Sequence, residues 1–335
     1  MSLPETQNPL MTDHTRSFLK LLLGLALPLG LYRQKRSAPG ALWIVCYHDV
    51  RDETSRPQPQ EPSSISVGEL TRHVRMYKKY FRVRRLTHAL RELEAGGLDT
   101  LTLALTFDDG YASFASRVVP LLEAEKVPAT VFVSGSACAR ELPLWRDALT
   151  ALWQHRRHDE LKAIFRVKPD AGVSLADLSR RAQASYSDSL RDRLIESYSR
   201  AGYEMHKNRY MTSGELHSLP SDNVEIGNHT WSHAPVAALD EKDFDREVLA
   251  NDAYLRQFPA FAPVLSFPFG QQKHFHAWQV RRIRDRMGLF ACSSYGGINA
   301  APSSADYLRM GAEAGALELR GQILLEAWRN SRLPS

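Results

Sequence analysis

Leu101-Thr102-Leu103-Ala104-Leu105-Thr106-Phe107-Asp108-Asp109-Gly110-Tyr111 is the stretch on which the fold turns. A β-rich apolar run ends abruptly in two adjacent carboxylates and a glycine, so both acids stand where a strand meets its loop. In α/β barrels and open α/β sheets, reactive groups gather at the C-terminal ends of the strands. Neighbouring residues leaving a strand point in different directions, so one Asp can hold a cation while the other reaches a water on it. Gly110 lets the chain turn sharply. Alone, Asp-Asp-Gly is also an ordinary polar turn.

Outward from that run, short β-rich segments alternate with amphipathic ones, the pattern of βα units around a parallel sheet or barrel. The predicted strands are Leu42–Cys46, Phe81–Arg85, Leu101–Phe107, Ala129–Val133, Val224–Gly227, Val264–Phe267, Leu289–Ser293 and Tyr307–Met310. Eight such runs suit a distorted (β/α) barrel of about seven to eight mostly parallel strands. Ser66 and Glu69 have capping-box spacing and start a helix through Lys79. Phe244, Val248 and Leu255 share a helical face behind Asp240 and Asp243. Residues 142 to about 220 break the rhythm, being charged, helix-prone and too long for a loop. They read as a helical insertion, with Trp145, Leu149, Leu152 and Trp153 at packing spacing.

A second constellation follows the strand ending in Glu225-Ile226-Gly227-Asn228: His229-Thr230-Trp231-Ser232-His233. Histidines four apart share one face of a helical turn and can share a metal. Pro235 discourages a longer helix, so a loop or single turn is expected. The pair is weak evidence by itself. With an Asp from another strand end it completes a two-His, one-carboxylate set that leaves positions for water.

Thr106-Phe107-Asp108-Asp109-Gly110-Tyr111 and His229-Thr230-Trp231-Ser232-His233 resemble the first two motifs of the polysaccharide deacetylases, carbohydrate esterase family 4. Cys46-Tyr47-His48-Asp49-Val50 resembles the Tyr-His-x-x segment of one branch, and Phe267-Pro268-Phe269-Gly270 its Tyr-Pro-Tyr-Gly motif. The resemblance spans about residues 42–311 without the insertion. It implies a barrel enzyme that removes N-acetyl groups from a glycan, with Asp109, His229 and His233 on a divalent metal, most readily Zn²⁺, and Asp108 as base. Tyr111, Pro268 and Phe269 would bind substrate, with a backbone N–H near Phe269 facing the oxyanion. Hydrolysis of another non-peptide C–N bond, or sugar binding without turnover, are the alternatives.

Two departures stand out. The family's third motif often carries an Arg before its Pro, whereas Leu265-Ser266-Phe267-Pro268 has none, and no His follows His276 to match the late Leu-x-His acid. His48 is the favoured acid because a first-strand end shares the rim with Asp108; His274 and His276 are expected on a loop. His14, His73, His88, His155, His158, His206 and His217 have no motif context and are expected to be solvated.

Composition narrows the rest. The 335 residues are 43% hydrophobic and 24% charged, which excludes wholesale disorder and fibrous classes. The net charge of +5 looks like a nucleic-acid signal until it is located. Residues 1–36 hold five cations (Arg16, Lys20, Arg33, Lys35, Arg36) against Glu5 and Asp13, hence +3 of the +5. No basic stripe interleaved with aromatics remains, so a nucleic-acid partner is not expected. Residues 1–40 read as a basic and apolar segment before a domain from 41 to 335. The charge-free run Leu21–Tyr32 is far short of the ~20 residues that span a bilayer. Its flanking cations suit a cytoplasmic chain or one in peripheral contact, through residues 16–36, with the anionic cytoplasmic membrane face, export being the alternative. Cys46, Cys138 and Cys292 lack metal or redox spacing and read as buried thiols.

Overall fold

A computed structural model describes residues 40–54, 64–140, 142–202, 209–303, 305–313 and 315–330. The membrane contact expected of residues 16–36 lies outside these. Ten strands occur among the described residues: β1 Leu42–Tyr47, β2 Asp49–Arg51, β3 Ser64–Ser66, β4 Arg82–Val83, β5 Thr102–Phe107, β6 Ala129–Val133, β7 Val224–Asn228, β8 Phe261–Ser266, β9 Phe290–Cys292 and β10 Met310–Gly311. Each predicted strand is present. The last one differs in extent: Tyr307 makes a single bridge to Cys292, and regular pairing begins at Met310.

The main sheet runs β10-β1-β5-β6-β7-β8-β9, all parallel, with β4 beside the first residues of β5 and β6 beside its last. Continuously buried strands such as β1, β5, β6 and β7 are what a sheet covered on both faces requires. The bridge between Cys292 and Tyr307 joins β9 to the segment entering β10, and so brings the two ends of the sheet together through one narrow seam. This is a distorted α/β barrel, as the alternation of runs predicts. β2 and β3 form a separate parallel pair.

Helices close over the strands where the amphipathic stretches predicted them. Ser66 caps Val67–Tyr80 by accepting from the Glu69 N–H, and Leu70, Val74 and Tyr77 of that helix are buried. Asp240 caps Glu241–Leu255, which buries Phe244, Val248 and Leu255. The insertion folds into helices Trp145–Gln154, His158–Ile164, Leu175–Ala184, Asp188–Arg200 and Ser213–His217. Trp145, Leu149 and Leu152 lie in its own apolar core with Leu161, Leu178 and Leu194, and Trp153 packs at the edge. That core also takes in Ala234 and Phe269, so the insertion rests directly on two loops of the barrel rim.

Because the strands are parallel, their C-terminal ends lie at one rim. His48, Asp108, Asn228 and Phe267 each stand at or just beyond one of those ends. Cys46, Cys138 and Cys292 are free and buried. No helix among the described residues is long and apolar enough to cross a membrane.

Candidate active site

At the end of β5 the chain turns through two consecutive left-handed residues, Asp109 at φ +75° and Gly110 at φ +76°. Glycine tolerates this conformation and aspartate adopts it at a cost. A Cβ on Gly110 would also press against Val133 at 3.3 Å. The turn delivers the Asp109 carboxylate to a fully buried position, its Oδ1 3.1 Å from His233 Nε2 and 3.4 Å from His229 Nε2. Thr230, His233 and Phe269 also have positive φ. Four of the seven non-glycine residues in that region among the described residues therefore belong to the motifs read from the sequence, the clustering expected where surrounding structure holds strain at a site.

The donors around Asp109 Oδ1 suit a cation. His229 gives its Nδ1–H to the Ser266 carbonyl at 2.8 Å, which leaves Nε2 as a lone pair. Burial, outweighing the pull of Asp109, lowers His233 to about 4, so that ring is neutral. Asp109 Oδ1 is buried and receives no hydrogen bond. Burial would raise the Asp109 carboxyl, but the Arg146 charge beside it holds it well below the carboxylate range. Three lone-pair donors, mutually within 4.8 Å, thus converge on one point, which fits a two-imidazole, one-carboxylate site for a divalent ion.

A rival cluster of Cys46, His48 and Asp108 comes equally close. It is a poor cation site. The Cys46 thiol is pushed well up by burial and donates to Asp108 Oδ2 at 3.3 Å, so no thiolate is offered. Both Asp108 oxygens are also taken by an arginine. Arg309 Nη1 lies 2.8 Å from Oδ1 and Nη2 2.9 Å from Oδ2, a bidentate pair. The guanidinium is fully buried, bonded also to Thr106, Ser266, Ser293 and Ser294, and lies 5.0 Å over the Phe132 ring. Burial would raise Asp108, but the Arg309 charge, with His229 and His48, lowers it far enough to keep it ionised at any working pH.

Arg309 supplies the arginine absent from the third motif. The signal was present: a lone Arg inside the predicted strand Tyr307–Met310 needs a partner if that strand is buried. Glu313, just beyond β10, was also missed, and its Oε1 lies 2.7 Å from His48 Nδ1. His48 keeps 28% of its side-chain surface exposed, and one of its ring nitrogens lies within 4.8 Å of an Asp108 oxygen. Burial pulls His48 down, but the hydrogen bond and charge of Glu313, with Asp109 and Asp108, raise it to about 9.

The remaining predicted residues divide. Tyr111 is buried, and its hydroxyl accepts from Arg146 Nη2 at 2.6 Å. Pro268 is buried as well, while Phe269 is half-buried, its ring 5.0 Å from His233 and 6.1 Å from Trp145. His274 sits beside Phe269 at 5.5 Å, and His276 is exposed with Nε2 3.2 Å from the Ala237 carbonyl. His73, expected to be solvated, is fully buried: the Tyr47 hydroxyl lies 3.0 Å from its Nδ1, and Glu69 faces its other nitrogen. Its place on the inner face of Val67–Tyr80, one turn from Tyr77, accounts for the difference.

A model of the polysaccharide deacetylase family matches residues 96–288, more than half of the chain, and the chain belongs to that family. It is accordingly a hydrolase of the deacetylase class, acting on a non-peptide C–N bond. Solved structures give the same architecture at low identity. A deacetylase of Streptococcus pyogenes, PplD in complex with acetate, superposes with a TM-score of 0.57 at 13% identity, covering 86% of this chain and 99% of its own. IcaB of Ammonifex degensii gives 0.55 at 14%, covering 87% and 98%, and a de-N-acetylase of Aggregatibacter actinomycetemcomitans 0.52 at 15%, covering 82% and 95%. No curated protein matches the chain by sequence.

Arg309→Met should leave the Asp108 carboxylate buried without its counter-charge, which costs about 3–5 kcal/mol when one partner of a buried pair is removed. Asp108 is depressed in the folded state, so its contribution is complete above the unfolded carboxylate value of ~3.9 and fades as pH falls below it. Urea unfolding should therefore show the largest loss at pH 7 and a smaller one below pH ~4. An unchanged midpoint at pH 7 would contradict the pairing.

Proposed function

We propose that this chain is a metal-dependent de-N-acetylase of a glycan or glycan precursor, with the reaction centred where Asp109, His229 and His233 meet. The observation that carries the reading is the opposite treatment of two adjacent carboxylates. Asp109 turns an unbonded oxygen toward two imidazole lone pairs, while Asp108 is clamped by Arg309 within reach of His48. A divalent ion, Zn²⁺ by the donor set, would polarise the acetyl carbonyl and acidify water there.

This chain's own residues then divide the proton work. Asp108, ionised and unable to rotate, accepts the proton of the attacking water, and Arg309 fixes the direction of that acceptance. His48, protonated below about pH 9, donates to the departing amine while Glu313 holds the ring from behind. Amide and water thus become acetate and amine, with the proton passing in at one carboxylate and out from one imidazole. Phe269 lies over His233 and offers its backbone N–H to the oxyanion, and Tyr111 and Pro268 complete the wall against substrate. Peripheral attachment of residues 16–36 to a membrane face belongs to the same reading on charge pattern alone.

Acetate release from N-acetylated oligosaccharides tests the activity, and Asp108→Asn tests the base. The asparagine variant should keep its metal and lose about 10²–10⁴ in rate. An undiminished rate would remove Asp108 from the mechanism, and release of ammonia instead of acetate would favour cleavage of a different C–N bond.

The pH profile tests the acid. His48 must be protonated to donate, so the rate should fall as pH rises through about 9. Glu313→Gln removes the main raising influence and should move that fall down toward the ordinary histidine range near ~6.5, and His48→Gln should abolish it. If His274→Gln shifts the limb and His48→Gln does not, the acid comes from the loop.

A further inference from the structure

The helical insertion reaches the site through the first turn of Trp145–Gln154. Trp145 gives its indole N–H to the His233 carbonyl at 3.1 Å. Arg146 Nη2 donates to Asp109 Oδ2 at 2.6 Å and to the Tyr111 hydroxyl at 2.6 Å. Asp147 accepts from the Tyr210 hydroxyl, and the Tyr210 ring stacks on Tyr111 at 5.4 Å. Three successive residues thus hold a ligand-bearing loop, a ligand carboxylate and the tyrosine beside it. Neither the barrel nor the family motifs supply this arginine.

The two Asp109 oxygens are used differently. Oδ2 is bound to a guanidinium that stays charged at every accessible pH, and Oδ1 faces His229 and His233 with no hydrogen bond of its own. Any divalent ion at Oδ1 shares that single negative charge with Arg146. Asp109 is fully buried and the Arg146 side chain keeps only 18% of its surface, so solvent does little to screen the two positive charges from each other. Arg146 cannot simply withdraw, because Tyr111 holds the same nitrogen and Trp145 ties down the start of its helix.

We infer that Arg146 is a fixed counter-charge to Asp109 that competes with the site's cation, so that the insertion sets how tightly the cation is held; this rests on the metal reading above. In the metal-free protein Arg146 is the cation paired with Asp109 and holds its carboxylate in place. With the cation present it holds the affinity below what the three ligands alone would give. Arg146 is a positioning residue, acting through Asp109.

Zn²⁺ affinity of the chelator-stripped full chain, measured by competition with a chromophoric chelator, tests this together with melting temperature with and without Zn²⁺. Arg146→Gln should bind Zn²⁺ about tenfold tighter or more, melt lower than wild type without the ion, and gain more on adding it. Arg146→Lys, a point charge on a flexible stem, should fall between. Equal or weaker Zn²⁺ binding by Arg146→Gln overturns the inference while leaving the metal site intact. If the metal-free glutamine variant does not fold, the lysine variant decides by the same criterion. A wild-type protein that binds no cation overturns the inference and the metal reading together.

Discussion

Two neighbouring carboxylates buried at the end of one strand cannot both stay ionised unless each has its own cation. Most of what surrounds β5 meets that constraint. Arg309 comes from just before β10, across β1 from β5, to neutralise Asp108, and Arg146 comes from the insertion to neutralise one side of Asp109. The backbone contributes by turning through a left-handed Asp109, which separates the two side chains toward different partners. Charge, register and backbone strain thus serve one local arrangement, and the parallel strands make it available by bringing their ends to one rim.

The same arrangement assigns different chemical characters to like residues. Asp108 and Asp109 are both held below the ordinary carboxylate range, yet one is saturated by a guanidinium and the other keeps an open oxygen. Among the histidines, His233 is lowered by burial and kept neutral, whereas His48, with Glu313 behind it, is raised. A neutral imidazole suits a ligand and a protonated one suits a donor.

The strands and the two motifs were legible because they are local. Apolar runs near Ile44, Leu105, Val131 and Ile226 show as strands, and Asp108, Asp109, His229 and His233 sit where those runs stop. Arg309 shows locally only as a cation inside a predicted strand and Glu313 not at all, since their partners depend on β10 lying beside β1, and only the sheet order provides that. Arg146 was further from view, because the helical spacing of Trp145, Leu149 and Leu152 accounts for the packing of its helix and says nothing of the residue between. Trp145 does both jobs, filling the insertion core and holding the His233 carbonyl. His73 was misread for a related reason: a histidine on the buried face of an amphipathic helix looks polar in sequence but is bonded to a strand tyrosine in the fold.

On the proposed reading the cation is held by Asp109, His229 and His233 and not by the neighbouring Cys46, His48 and Asp108. X-ray absorption spectroscopy of the Zn²⁺-loaded protein separates the two sets directly. The expected result is a nitrogen and oxygen shell near ~2.0–2.1 Å with the multiple-scattering signature of two imidazoles and no sulfur. A sulfur neighbour near ~2.3 Å, or a single imidazole, would place the ion at Cys46 and contradict it.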